Sequence, residues 1–183
     1  MSTSGSPSPD VSAFDALPDY EAAMLLETCC GASAWVQGMV VRRPFGTLHV
    51  MLEIADEVWW SLDPDDWREA FDHHPRIGEA TAAAPKGDRA TAWSSDEQRG
   101  TSAASADVRQ ALADGNREYE RRFGHIYLVC ATGRSAEDLL ATLRTRLTND
   151  PATELRVAAG EQSKITRLRL EKMFGVTPAR TDP

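Results

Sequence analysis

The residues best suited to proton transfer lie in one short run of the chain, from His73 to Glu79. Histidine has an unperturbed pKa of about 6.5, so it can give or take a proton near neutral pH. Because Pro75 restricts the preceding residue to extended backbone, His74 is held more rigidly than His73. We therefore predict that His74 is an acid/base residue. The structural alternative is that both histidines are polar loop residues that cap the preceding helix.

A second polar run, Ser94-Ser95-Asp96-Glu97-Gln98, is predicted to begin a helix. Ser94 with Glu97, and Ser95 with Gln98, both match the capping-box pattern. In the structural interpretation, Glu97 only accepts a hydrogen bond from the backbone of Ser94. In the functional interpretation, the free N–H groups from Asp96 onward and the Glu97 carboxylate face a ligand. We interpret the two runs as two walls of one active site.

Two other site chemistries are less well supported by the spacing of these residues. A hydrolase built from Ser94, His74 and Glu97 would lack the Gly-x-Ser-x-Gly turn that exposes a nucleophilic serine. A metal site built from His73, His74 and Glu79 would lack the i, i+4 spacing that points two histidines at one ion. No metal is assigned.

The last predicted helix carries three cationic side chains, Lys164, Arg167 and Arg169. They indicate either a solvated helix face or one inward guanidinium, whose planar fork suits a carboxylate of the substrate. The tryptophans at positions 59, 60, 67 and 93 are expected in the core.

Composition restricts the class of protein. With 183 residues, one globular domain is expected. A formal net charge of −8 argues against binding to nucleic acid or to an anionic membrane. No apolar run is long enough to span a bilayer and residues 1–9 do not resemble a signal peptide, so a cytoplasmic location is expected. Cys29, Cys30 and Cys130 are expected to be buried free thiols.

The hydrophobic spacing predicts an all-α, single-domain bundle of about seven to nine helices with no significant sheet. We expect a disordered tail over 1–12, a helical domain over 13–176 and a C-terminal tail over 177–183. Helix starts are predicted at Pro18, Ser33, Thr47, Asp63-Pro64, Ser94, Ser135 and Ala152. The first of these helices should run to about Cys30, the stripe from Val108 to Phe123 should end at Gly124, and the last helix should end near Phe174. The segment 125–131 is predicted to be an extended connector buried between helices.

Together these motifs resemble one known family, the 2-oxo-4-hydroxy-4-carboxy-5-ureidoimidazoline (OHCU) decarboxylases of uric acid degradation. The resemblance spans most of the chain and depends on the order of its motifs more than on any single one. The motifs are the neighbourhood of Leu26, Cys29, Cys30, Ser33 and Trp35, then His74-Pro75-Arg76-Ile77-Gly78, Ser94-x-x-Glu97-Gln98, Tyr119-x-x-x-Phe123-Gly124, Arg146-Leu147-x-Asn149, and Lys164-Ile165 to Arg169-Leu170.

The resemblance implies an all-helical, cofactor-free, homodimeric carboxy-lyase that converts OHCU to (S)-allantoin and CO2. It also implies functional coupling to hydroxyisourate hydrolase and urate oxidase. His74 would be the catalytic proton donor and Glu97 its partner carboxylate. The implied substrate-binding positions are Pro75, Ser94, Ser95, Asp96, Glu97, Gln98, Tyr127, Leu128, Val129, Cys130, Ala131 and Arg169, with Arg167 as an alternative to Arg169.

One departure from the family pattern concerns the connector. His125-Ile126-Tyr127 stands where many members have an aromatic residue, a proline and a second aromatic residue. Backbone contacts with a substrate are therefore easier to carry over here than side-chain contacts. Apart from the Ser94 hydrolase, the alternative function is a helical module that binds a purine catabolite without converting it.

Overall fold

The computed structural model describes residues 10–77, residue 93 and residues 104–176, and within these ranges the chain forms eight helices and no strand. The all-α prediction is confirmed. The helices are α1 (Val11–Asp15), α2 (Asp19–Glu27), α3 (Ser33–Val41), α4 (Leu48–Trp60), α5 (Pro64–Asp72), α6 (Ala106–Phe123), α7 (Ala136–Arg146) and α8 (Pro151–Met173).

Several helix ends follow local signals in the sequence. The Thr47 hydroxyl accepts a hydrogen bond from the backbone of Val50 at the start of α4, and Asp63 and Ser135 each form a capping box. Gly124 ends α6 with a φ of +74°, a left-handed conformation that glycine adopts without strain. These four predicted boundaries are confirmed.

Other boundaries differ from the prediction. Helix α2 ends at Glu27, three residues before Cys30, and Pro18 is its N-cap. Ser33 is the first residue of α3 and not its cap, because its backbone N–H and its hydroxyl both donate to the Glu69 carboxylate on α5. Helix α6 has its own N-cap at Ser105. The helix start predicted at Ser94 lies outside the described residues.

The apolar side chains form two clusters. The first joins α1 to α5 with α8, and the second lies between α6 and α7. The connector 125–131 runs between them as extended chain without strand pairing, as predicted. Ile126 and Leu128 pack into the first cluster, whereas Tyr127 and Val129 pack into the second. Successive side chains of an extended segment point in opposite directions, so this segment contributes to both cores.

The tryptophan and cysteine predictions are largely confirmed. Trp59 and Trp67 are buried, but Trp60 is 44% exposed, because it follows Trp59 on the outer side of α4. Cys29 and Cys30 are buried free thiols, while Cys130 is partly exposed and also free. None of the described helices combines the length and apolarity needed to cross a bilayer.

Candidate active site

The two histidines lie at the C-terminal end of α5 and have different roles. The backbone N–H of His73 donates to the carbonyl of Ala70, and that of His74 donates to the carbonyl of Phe71, so both residues complete the last turn. The His73 side chain covers Gly31, where an added Cβ would lie 2.8 Å from the His73 Cβ and nearer still to the ring. The backbones of both residues therefore complete the end of α5, as the structural alternative predicted. The imidazole of His74 takes no part in these hydrogen bonds and can act in proton transfer.

The imidazole of His74 is neutral in this environment. Burial is the main cause that lowers its pKa to about 3, and the positive charge of Arg169 contributes in the same direction. Hydrogen bonding with the side chain of Gln162 raises the pKa of His74, whereas the neighbouring His73 lowers it further. At neutral pH, His74 thus has one ring nitrogen that carries a proton and one that can accept one.

One face of α8 lies opposite His74 and is polar although it is buried. Gln162, Thr166 and Arg169 are spaced four and three residues apart, so they lie along one side of the helix, and each is at most 5% exposed. The Nε2 of Gln162 donates to the hydroxyl of Thr166 at 3.0 Å. Cys30 lies beside Thr166, and burial raises the pKa of its thiol to about 11, which keeps it protonated.

The structure favours Arg169 over Arg167 as the inward guanidinium. Arg169 is 4% exposed and lies close enough to lower the pKa of His74. Arg167 is exposed, and its guanidinium lies near the carboxylates of Asp56 and Glu171. Arg169 was the predicted substrate-binding residue with Arg167 as its alternative, and the burial of Arg169 distinguishes the two.

The chain directly after His74 is held by α6. The guanidinium of Arg76 forms a two-point ion pair with the Glu120 carboxylate, at 2.6 and 2.9 Å. The buried Asn116 donates from Nδ2 to the carbonyl of Ile77 at 2.8 Å. Pro75, which lies between these anchors and His74, is partly buried. The segment that carries the imidazole is thus fixed on both sides.

The connector is placed against the same final helix. The backbone N–H of Cys130 donates to the Glu161 carboxylate at 2.8 Å, next to Gln162 in the chain. The side chains of Tyr127, Leu128, Val129 and Ala131 are buried in the two core clusters. Tyr127 also donates its hydroxyl proton to the carbonyl of Leu139. A ligand would therefore meet the backbone of this segment or the partly exposed Cys130.

His125 takes the position of an aromatic residue in the core. Its ring lies among those of Phe71, Tyr119 and Phe123, with centroid distances of 5.3 to 6.3 Å. Burial lowers its pKa, which favours the neutral ring. The departure from the family pattern at this position therefore preserves aromatic packing.

A buried ionic network, which the sequence did not indicate, holds the other side of the connector. Arg146 donates to the Glu154 carboxylate at 2.7 Å and to the carbonyl of Leu128 at 2.8 Å. The same carboxylate accepts from Tyr119 and from Asn149. Arginine and glutamate in a helical sequence are normally predicted to lie on the surface. The motif Arg146-Leu147-x-Asn149 was therefore the one sequence feature that marked this part of the chain.

The predicted second wall is not part of the described structure. Ser94, Ser95, Asp96, Glu97 and Gln98 lie outside the described residues, as does Glu79 of the metal alternative. The structure thus brings His74 and Arg169 together and adds Gln162 and Thr166. The approach of Glu97 to His74 stays a prediction.

Comparison with known proteins decides the family. A family model described as OHCU decarboxylase matches residues 15–171. The chain belongs to the OHCU decarboxylase family. It is 36% identical over 149 residues to the uric acid degradation bifunctional protein TTL of Arabidopsis thaliana, which covers 81% of this chain and 46% of that protein. It is 39% identical over 59 residues to the OHCU decarboxylase of Amia calva, which covers 32% of this chain and 34% of that protein. The chain thus spans less than half the length of both curated relatives.

Solved structures agree with membership of the OHCU decarboxylase family. A crystal structure of OHCU decarboxylase in the presence of (S)-allantoin is 33% identical to this chain, with a TM-score of 0.70 over 86% of this chain and 99% of that one. A crystal structure of (S)-allantoin synthase has a TM-score of 0.68 over 91% of this chain, at 14% identity, and so shows a shared fold alone.

Proposed function

We propose that this protein decarboxylates OHCU to (S)-allantoin and CO2. The observation that carries the proposal is a neutral, largely buried imidazole, His74, beside a buried guanidinium, Arg169, in a chain of the OHCU decarboxylase family. The solved relative crystallised in the presence of (S)-allantoin supports the same product. No described feature favours a binding module or a Ser94 hydrolase over this function.

The reaction needs little chemical assistance beyond proton transfer. When the bond between C4 and the carboxylate breaks, its electron pair forms a C4–C5 double bond. The electrons of the C5 imine move onto nitrogen, which takes up a proton. The product of this step is an enol, and loss of the C4 hydroxyl proton with protonation at C5 gives allantoin. The substrate itself accepts the electrons, so the step requires neither a metal nor a prosthetic group.

His74 is proposed to move the proton of the C4 hydroxyl. Because the imidazole is neutral at rest, its bare ring nitrogen first accepts that proton. The imidazolium formed in this way then returns the proton to one face of C5. The proton donor implied by the family resemblance is thus formed during the reaction. Glu97, from the second wall, is proposed to handle a ring or ureido proton.

Arg169 is proposed to hold a carbonyl or ureido oxygen of the substrate. Gripping the departing carboxylate would stabilise the ground state as much as the transition state, and so would not accelerate its loss. A guanidinium on the developing enolate oxygen, in contrast, acts mainly in the transition state. Pro75, the run from Ser94 to Gln98 and the backbone of 127–131 complete the proposed binding surface.

The remaining expectations form part of the same proposal. They are a homodimer, a cytoplasmic location, and functional coupling to the enzymes that make the substrate, urate oxidase and hydroxyisourate hydrolase. Light scattering of the purified chain measures the first. Coupling would appear as a rate of allantoin formation from urate that exceeds the rate calculated from the separately measured steps.

The decisive experiment generates OHCU in situ from urate with urate oxidase and hydroxyisourate hydrolase. Allantoin is then followed by circular dichroism with and without this protein. Spontaneous decay gives a racemate without a signal, so the protein should produce a growing signal of (S)-allantoin. His74→Asn should reduce this rate by about two to four powers of ten. An unchanged racemate with the native protein would contradict the function, and an unchanged rate with His74→Asn would contradict the role of His74.

A further inference from the structure

Gln162 has a buried side-chain amide in which, among the described residues, the nitrogen forms a hydrogen bond and the oxygen does not. The residue is 0% exposed. Its Nε2 donates to Thr166, which fixes the orientation of the amide. Its Oε1 is buried as well and accepts no hydrogen bond of normal geometry within the described ranges. Leaving a buried acceptor unsatisfied costs about 1–3 kcal/mol, so such an atom calls for an explanation.

The side chain of Gln162 lies close enough to the imidazole of His74 to affect its pKa through hydrogen bonding. Of the groups around His74, Arg169 and His73 disfavour the imidazolium, whereas Gln162 favours it through hydrogen bonding. An acceptor oxygen has that effect and an amide N–H does not, in agreement with the assignment of Nε2 to Thr166. Hydrogen bonds of catalytic groups are often long or poorly aligned in a protein without a ligand, so Oε1 can orient the imidazole in the free protein without normal hydrogen-bond geometry.

We propose that Gln162 is a positioning residue for His74, whose Oε1 accepts the N–H of one ring nitrogen and thereby leaves the other ring nitrogen bare toward the substrate. The hydroxyl of Thr166 holds the amide in the orientation that this requires. The hydrogen bond at one nitrogen of a histidine determines which tautomer is present. The effect on catalysis rests on the proposed function, but the tautomer is a property of the free protein.

The test measures the tautomer directly by NMR of protein labelled with 15N-histidine, in long-range 1H–15N spectra. Signals of His74 are those that disappear in His74→Asn. In the native protein, His74 should show one protonated and one bare nitrogen between about pH 5 and 8, which reports a single neutral tautomer. Gln162→Met has a similar shape but no acceptor, so both nitrogens should shift toward averaged values.

Arg156 is an exposed residue on the same helix. The variant Arg156→Met is therefore the matched control and should leave the His74 signals unchanged. An unaltered single tautomer in Gln162→Met overturns the proposal. If that variant does not fold, Thr166→Val provides the same comparison, because it releases the amide without removing it. A single native tautomer in Thr166→Val would then overturn the proposal.

Turnover provides a second readout once the native protein is shown to be active. Gln162→Met should lower kcat about 10- to 100-fold with a much smaller change in KM, because binding groups remain and the base is misoriented. A higher KM with an unchanged kcat would contradict a positioning role. A native protein without activity would remove the proposed function but not the NMR result.

Discussion

Arg169 and His74 form a pair in which a permanent charge helps to keep a titratable neighbour neutral. Burial is the largest cause of the low pKa of His74, and the buried guanidinium of Arg169 acts in the same direction. Both groups face the site from different elements, α8 and the end of α5. The charge of Arg169 can therefore be removed by a substitution on α8 that leaves the segment of His74 unchanged.

Arg169→Met should raise the pKa of His74, because it removes a positive charge beside the imidazole. It should also lower kcat/KM about 100-fold if the guanidinium stabilises developing charge. NMR titration of His74 and the allantoin assay measure these two effects. Arg167→Met is the matched control, since that side chain is exposed and lies near Asp56 and Glu171. Greater damage from Arg167→Met would reverse the assignment.

The low pKa of His74 predicts a dependence of stability on pH. Its folded-state pKa of about 3 lies below the ordinary value of 6.5, so the unfolded chain binds more protons between these values. The stability that the neutral imidazole provides is complete above about pH 6.5 and is lost as the pH falls toward 3. His74→Asn does not titrate. Relative to that variant, the native protein should lose about 1–3 kcal/mol of unfolding free energy between pH 7 and 4.

Urea unfolding of both proteins at several pH values measures this difference. His125, whose pKa is also lowered, contributes equally to both and cancels in the comparison. Parallel pH profiles for the two proteins would show that His74 is not buried as a neutral group.

At the scale of elements, helix ends were predicted most accurately where the capping residue bonds to residues close to it in the sequence. Thr47, Asp63 and Ser135 cap helices through neighbours three residues away, and such patterns are visible in one dimension. Ser33 was misassigned because its partner, Glu69, is 36 residues distant. The five-residue helix α1 was not predicted, since only two of its side chains are buried and no repeat can form.

In the candidate site, too, the residues in contiguous motifs were predictable from the sequence, and those that depend on distant contacts were not. The motif of His74 and Pro75 is contiguous, and the inward turn of Arg169 was among the alternatives. Gln162 has no charge and stood in no motif, so only its spacing of seven residues from Arg169 placed it on the same face. The burial of Arg146 and Glu154 could not be predicted, because it depends on how α6, α7 and the connector enclose them.

Arg146→Met should destabilise the protein by about 3–5 kcal/mol, because it leaves the Glu154 charge buried without its partner. The carbonyl of Leu128 loses its donor as well. Unfolding in urea, followed by circular dichroism, measures the loss. The control is Arg68→Met, which removes an exposed ion pair with Asp65 and should change stability by less than about 1 kcal/mol. Equal effects of the two substitutions would refute the importance of the buried pair.

Two glycines provide a matched comparison of packing. Gly31→Ala places a methyl group against the side chain of His73, which must move, so both stability and turnover should fall. Gly160→Ala has no atom within 4 Å of the new methyl group and lies inside α8. It should stabilise the protein by about 0.5–1 kcal/mol. Thermal unfolding and the allantoin assay test both, and a neutral Gly31→Ala would show that His73 can shift without consequence.

At the scale of the whole molecule, two cores share one segment of chain. All described tryptophans lie in or against the first cluster, and Tyr119 and Tyr127 belong to the second. Tryptophan fluorescence therefore reports on one half of the molecule, while near-ultraviolet circular dichroism of tyrosine includes the other half. Because the connector packs into both clusters, we expect the two halves to unfold together.

Val129→Ala tests this coupling. The side chain belongs to the second cluster, and its truncation should cost about 1–3 kcal/mol. If the halves are coupled, the midpoint of urea unfolding seen by tryptophan fluorescence should fall as much as that seen by tyrosine. A tryptophan midpoint that stays at the native value would show that the clusters unfold independently.

The alternating contacts of the connector also restrict how this chain can vary in length. Inserting one residue between Ile126 and Val129 would exchange the destinations of all following side chains, so that residues shaped for one core would enter the other. Inserting two residues would restore the alternation at the cost of a bulge. We expect tolerated insertions between α6 and α7 to be even in number within this segment, or to fall in the exposed turn at Thr132 and Gly133.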